Sequence, residues 1–238
     1  MSAIRWKESS KIVTLYSEDG GLIKLIAHGA FRKNNPFAGK LEALSLLRVD
    51  YVQKNSRSMQ ILVESELLDS FQEIRLDLTR LSHALSMLEL IQQTFEDGDP
   101  DPVFFKFLLE LLNSFSVSKY PANMLIYFLL KLASYLGFKP ELQHCVGGNL
   151  TTCGNPVYLS LRDGHISCDK CQKISGADLH FSKDEYFFLK YLQSSNYRRL
   201  KYVERTHQNS MRIITRLVRF INYHFESELK LESLSYIL

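Results

Sequence analysis

Cysteine is nearly absent from this chain: four residues lie between positions 145 and 171, and the rest of the sequence has none. That confinement excludes a disulfide framework spread over the fold. Long apolar runs are missing too. The most apolar stretch, 124–138, is about 15 residues long and carries Lys131, short of the roughly 20 that a spanning helix needs. The opening MSAIRWKESSKIV has no apolar segment behind a basic one, so no secretory signal is expected. A cytoplasmic setting follows, one that keeps thiols reduced. There is no P-loop, no glycine-rich dinucleotide fingerprint, no HExxH and no GxSxG. An enzyme is therefore the weakest of the function classes, although an active site assembled from distant residues leaves no such trace.

Net charge is low as well, at +3, but its distribution is uneven. Residues 1–57 carry ten basic and five acidic groups, 58–118 three and eleven, and 198–219 seven and one. Basic, acidic and basic segments alternate, a pattern that fits a polyanion partner as well as it fits a solvated surface. With apolar residues at 45% of 238, the chain is long enough for a large core.

Short stretches rich in β-branched and aromatic residues fall at 11–16, 22–28, 44–53 and 58–65, divided by turn signals such as Asp19-Gly20-Gly21. Four or five strands in so short a segment are expected to close into a small barrel, which removes exposed edges. From Thr79 the period becomes helical: Leu81, Leu85, Leu88, Ile91 and Phe95 repeat, and Asp97-Gly98-Asp99-Pro100 breaks the run. Further helices are expected at 103–115 and 122–136, from Phe181 to about Leu192, and at 208–225. Ser182 and Glu185 form a capping-box pattern. The last helix carries Ile214, Leu217, Val218, Ile221 and Phe225 on one face and Arg212, Arg216 and Arg219 on another.

Cys168-Asp169-Lys170-Cys171 has the two-residue gap that lets one tight turn aim both sulfurs at a tetrahedral centre about 2.3 Å away. Cys145 and Cys153 have seven residues between them, in a loop with two flexible glycines, Gly147 and Gly148. A zinc ribbon with Cys145, Cys153, Cys168 and Cys171 as ligands is the favoured reading, with His144 and His165 as substitutes for Cys145. Thiol redox chemistry, buried free thiols and disulfides remain open beside it. Four thiolates would close the coordination sphere, so the metal's role would be structural. Residues 145–171 hold few core-sized apolar side chains, so metal binding is expected to order them.

The order of features resembles the RecO family of bacterial DNA repair and recombination mediators. The resemblance rests on SSKIVTLYSEDGGLIKLIAHGAFRK at 9–33, FAGKLEALSLLRVDY at 37–51, GFKPELQHC at 137–145, CDKC at 168–171, and NYHFESELKLESLSYIL at the end. It implies a multi-domain α+β protein. An N-terminal OB-fold β-barrel at 1–78 would bind DNA, a helical domain would take 79–144 and 177–238, and a zinc-ribbon-like insertion would take 145–176. Against the family pattern the first cysteine pair is wide, and the chain starts late in the first strand. The implied activity is binding of single- and double-stranded DNA and annealing of complementary strands. With the partner RecR, the family loads RecA onto DNA coated by single-stranded-DNA-binding protein, in the bacterial cytoplasm at the nucleoid.

OB-folds hold single strands with a basic track and aromatic faces. The residues expected at DNA are Arg5, Lys7, Lys11, Lys24, Arg32, Lys33, Lys40 and Arg57. Tyr16 and Phe37 are expected in the core, whereas Trp6 and Phe31 suit either role. A second basic surface, Arg198, Arg199, Lys201, Arg205, Arg212, Arg216 and Arg219, would extend the track or receive the acidic C-terminal tail of single-stranded-DNA-binding protein. The alternative to a DNA mediator is a protein–protein adaptor in repair that binds DNA incidentally, with the acidic helices and the arginine cluster as its working surfaces.

Overall fold

A computed structural model describes residues 1–54, 56, 58–147, 156–171, 178–200, 207–225 and 228–237, with backbone alone at 199 and 207. Its contacts divide into two compact units, Met1–Val117 with Lys230–Leu238, and Ser118–Leu229.

The first unit begins with five strands: β1 (Ser2–Trp6), β2 (Ser10–Ser17), β3 (Gly21–Ala27), β4 (Leu46–Val52) and β5 (Gln60–Asp69). Their order is β1-β2-β3-β5-β4, antiparallel except for the parallel β3–β5 pair. Alternate residues point inward, as half-buried strands require. Val13, Leu15, Leu25, Ala27 and Leu62 form the core with Phe37 and Leu41 from the 28–45 connection, and Ala3, Ile23, Leu47, Val49 and Tyr51 pack against it. All five strands thus feed one interior. Each large side chain buried there contributes about 1.5–3 kcal/mol. The strands expected from the sequence correspond to β2–β5, and β1 is the one that periodicity did not place.

Helices α1 (Gln72–Arg75), α2 (Leu78–Thr94) and α3 (Pro102–Val117) complete this unit. Asp77 caps α2 by accepting from the Arg80 amide at 3.0 Å. Tyr16, on the outer face of β2, is buried edge-on against Phe95 and Phe104 at 5.3 and 6.0 Å. The break after α2 docks on the sheet: Gly98 donates its amide to the Leu22 carbonyl at 2.9 Å. Gly21 has φ +60° and lies under Asp99, where a Cβ would collide with the Asp99 carbonyl. A terminal 3-10 helix, Glu232–Tyr236, returns to α2, where Glu89 accepts from the Ser233 amide at 3.1 Å and its hydroxyl at 2.6 Å.

In the second unit α4 (Pro121–Tyr135) is buried nearly all round and starts with a proline where its missing amide costs nothing. A small sheet follows, β6 (Glu141–Cys145), β7 (Val157–Leu159), β8 (His165–Cys168) and β9 (Leu179–Phe181), in the order β6-β8-β7-β9. Helices α5 (Lys183–Ser194), α6 (Tyr197–Leu200) and α7 (His207–His224) close the unit. Buried on α7 are Ile213, Ile214, Leu217, Phe220 and Ile221. Ile213 and Phe220 thus replace Val218 and Phe225 of the expected face, both of which are only half-buried. Among the described residues no helix is long and apolar enough to cross a membrane.

The capping box at the start of α5 is complete: Ser182 Oγ accepts from the Glu185 amide at 3.2 Å, and Glu185 Oε2 accepts from the Ser182 amide at 2.9 Å. Glu185 is also the buried partner of Arg216 at 3.0 Å and Arg212 at 3.3 Å. Ser182→Ala is expected to cost about 1 kcal/mol in urea denaturation. Glu185→Ala should cost more, because it removes the other half of the box and leaves Arg216 half-buried without its carboxylate.

Candidate metal centre and nucleic-acid interface

Strand β6 is held in place by one face of α5. Tyr186, Lys190 and Gln193 are spaced for a single helix face and donate to three carbonyls of the 140–143 segment: Leu142 at 2.8 Å, Gln143 at 3.0 Å and Pro140 at 2.8 Å. β6 then pairs with β8, setting Cys145 beside Ile166, and the Val146 amide donates to the Ile166 carbonyl at 2.8 Å. Cys168 ends β8, and the amide of Cys171 turns back to the Cys168 carbonyl at 3.0 Å. The sulfurs of Cys145, Cys168 and Cys171 consequently lie within 4.8 Å of one another, with Cys168 and Cys171 at 3.2 Å.

Gly147 belongs to this arrangement by geometry: a Cβ there would collide with the Cys171 side chain. Its role is close approach to the thiol, where the sequence had indicated only flexibility. Thiol hydrogen bonding with Cys168 and Cys145, followed by desolvation and mutual charge repulsion, pushes the Cys171 thiol up to about 11. Three thiols this close repel one another as thiolates, and a soft cation relieves that repulsion. The donor set therefore fits zinc. Cys153, the expected fourth ligand, lies outside the described residues. His144 and His165 are exposed and do not join the cluster among the described residues, and His165 Nδ1 lies 2.8 Å from the Asp163 carbonyl.

Val157, Leu159, Leu161 and Ile166 are buried to 4% exposure or less, so this segment buries more apolar side chains than its sequence suggested. The sheet also reaches beyond 145–176 at both ends, from Glu141 to Phe181.

In the N-terminal unit, Arg5, Lys7, Arg32 and Lys33 are exposed, and none is in an ion pair with another described residue. The other expected contacts have partners from distant parts of the sequence. Lys11 pairs with Glu42 at 2.9 Å, Lys24 pairs with Asp97 at 2.7 Å, and the Lys40 ammonium donates to the Ser65 carbonyl at 3.0 Å. Arg57 lies outside the described residues. Of the aromatics, Tyr16 and Phe37 are buried, whereas Trp6 and Phe31 are 39% and 45% exposed.

The second basic run is dispersed in its roles. Arg212 and Arg216 neutralise Glu185, and Arg216 also covers the Phe181 ring at 5.2 Å. Arg198 donates to the Tyr197 hydroxyl at 3.0 Å. Arg219 is exposed on α7. Lys201, Arg205 and the Arg199 side chain lie outside the described residues.

Two family models match the chain, "Recombination protein O N terminal" over residues 1–71 and "Recombination protein O C terminal" over 75–233. The chain belongs to the RecO family. The boundary between the two RecO matches falls at α1, so the N-terminal match covers the five strands and the C-terminal match covers α2 through α7. Proteins named "DNA repair protein RecO" are similar over much of the length. That of Salinibacter ruber is 30% identical over 70% of this chain and 64% of its own, and that of Bacillus pumilus 31% over 75% and 65%. That of Desulforamulus reducens is 26% identical over 94% of this chain and 86% of its own.

The raised Cys171 pKa has a definite sign. A thiol held protonated in the fold contributes stability below the ordinary thiol pKa near 9 and loses it as pH rises through about 11. Metal-free protein is expected to lose stability over that alkaline window. Cys171→Ser should lose less over the same window, as read by denaturant midpoints with a chelator present.

Proposed function

We propose that the chain is a non-enzymatic DNA-binding mediator of recombinational repair. It binds single- and double-stranded DNA and anneals complementary strands. Together with RecR it promotes RecA loading on DNA coated by single-stranded-DNA-binding protein. Family membership and the names of its relatives support the repair role. The single observation that carries the DNA-binding part is the set of exposed cations Arg5, Lys7, Arg32 and Lys33 in no ion pair with another described residue, with the half-exposed Phe31 beside Arg5.

In this reading residues 1–78 are an OB-fold domain. The strand order with a parallel β3–β5 pair, and the contribution of all five strands to one interior, support it. Arg5, Lys7, Arg32 and Lys33 are its main phosphate contacts, and Lys11, Lys24, Lys40 and Arg57 are further candidates. Segments 79–144 and 177–238 are the helical scaffold, and the arginines of 198–219 receive the acidic tail of single-stranded-DNA-binding protein. Cys145, Cys153, Cys168 and Cys171 hold a structural zinc ion that ties the 145–176 segment together. The working place is the bacterial cytoplasm.

Binding of single strands should fall with salt at a log–log slope of about −0.7 per neutralised phosphate. Replacing Arg32 and Lys33 together by Glu is expected to weaken binding roughly tenfold or more at low salt; unchanged affinity in a fluorescence-anisotropy titration would overturn the assignment of the loop. Elemental mass spectrometry should find one zinc per chain in the native protein and none in Cys168→Ser/Cys171→Ser.

A further inference from the structure

We propose that Phe31 is a base-stacking platform, with Arg5 and Lys11 as its flanking phosphate clamp, forming a one-nucleotide subsite that takes an unstacked base of single-stranded DNA. This rests on the DNA-binding reading above and specifies where in the barrel a base is held.

The register of the β1–β2 pair creates the site. Arg5 lies directly opposite Lys11, as Ala3 lies opposite Val13, so the two cations continue the inward row past the end of the core. Like charges opposite one another on a ladder destabilise it. Here both are satisfied by one ring: the Arg5 guanidinium is 5.1 Å and the Lys11 ammonium 5.5 Å from the centroid of Phe31. The backbone that carries the ring is anchored. The Phe31 amide donates to the Ser9 carbonyl in the β1–β2 turn at 3.1 Å, and Arg32 closes a turn onto Gly29 at 2.9 Å, with Gly29 at φ +73°.

A fixed aromatic with a purely structural role is expected to be buried. Phe37, on the same connection, is 6% exposed, whereas Phe31 is 45% exposed. In the adjacent turn Lys7 adopts φ +54°, a left-handed conformation that costs a residue with a side chain free energy and is typically retained where function needs it. Arg5, Lys7, Arg32 and Lys33 are exposed and in no ion pair with another described residue, whereas Lys11 is partly neutralised by Glu42. A half-exposed ring beside cations gives a base an aromatic surface to stack on and its phosphates several donors. Bases of a duplex are already stacked, so the subsite selects single strands.

The experiment uses the full chain. Trp6, its only tryptophan, is next to Arg5 and half-exposed, so its fluorescence reports on this end of the barrel. An oligodeoxythymidylate and an equally long oligomer with abasic sites are titrated against the unaltered chain, Phe31→Ala and Phe31→Leu. The unaltered chain should prefer the base-bearing strand. Both variants should lose roughly tenfold on that strand and little on the abasic one, with the salt slope unchanged. Phe31→Leu keeps the apolar bulk, so an unshifted melting temperature in that variant excludes misfolding as the cause. Binding of the base-bearing strand by both variants at the level of the unaltered chain would overturn the platform while leaving DNA binding intact. Failure of the unaltered chain to bind either oligomer would overturn the DNA-binding reading itself.

Discussion

The inward burial of alternate residues on β2 and β3 is the constraint on which the N-terminal unit depends. Val13, Leu15, Leu25 and Ala27 are all at or below 9% exposure on one side of the ladder. A slip of one residue would turn that row to solvent. The pairing is therefore fixed, and fixing it also fixes which residues continue the inward row where the core ends. Arg5 and Lys11 occupy those positions, each within 5.5 Å of the centroid of the half-exposed Phe31 ring. The proposed DNA-binding face thus follows from the packing of aliphatic side chains in the core.

A comparable chain of cause runs through the second unit. The buried carboxylate of Glu185 starts α5, and Arg216 and Arg212 neutralise it. The same helix then grips three carbonyls of the segment leading to Cys145. Pairing of β6 with β8 carries Cys145 to the turn that holds Cys168 and Cys171. Two of the arginines that look like a basic surface in the sequence are thus part of the support for the thiol cluster. Their charge is spent locally, and Arg219 keeps its exposure.

Much of this was legible in the sequence because the signals are local. β2–β5 alternate over enough residues to show their period, the helices repeat at helical spacing, and the Ser182–Glu185 box and the Asp97–Pro100 break are read within four residues. β1 was not placed, because five residues with Arg5 and Trp6 near one end carry little alternation. Strands β7 and β9, three residues each, exist only through partners elsewhere in the chain. The carboxylates that engage basic residues were invisible for the same reason: Lys11 meets Glu42 and Lys24 meets Asp97 across long sequence separations. Gly147 left a faint trace, a glycine two residues after a cysteine, but only the folded geometry gives it a reason.

The central claim is that the five-stranded N-terminal sheet, read as an OB barrel, meets single-stranded DNA through its basic end. The most direct measurement is photocrosslinking of the full chain to a strand carrying photoreactive thymidine analogues, with the adducts located by peptide mass spectrometry. The account predicts adducts concentrated on peptides from 1–40, foremost around Phe31. Adducts confined to peptides from 183–224, with the barrel unmodified, would contradict it.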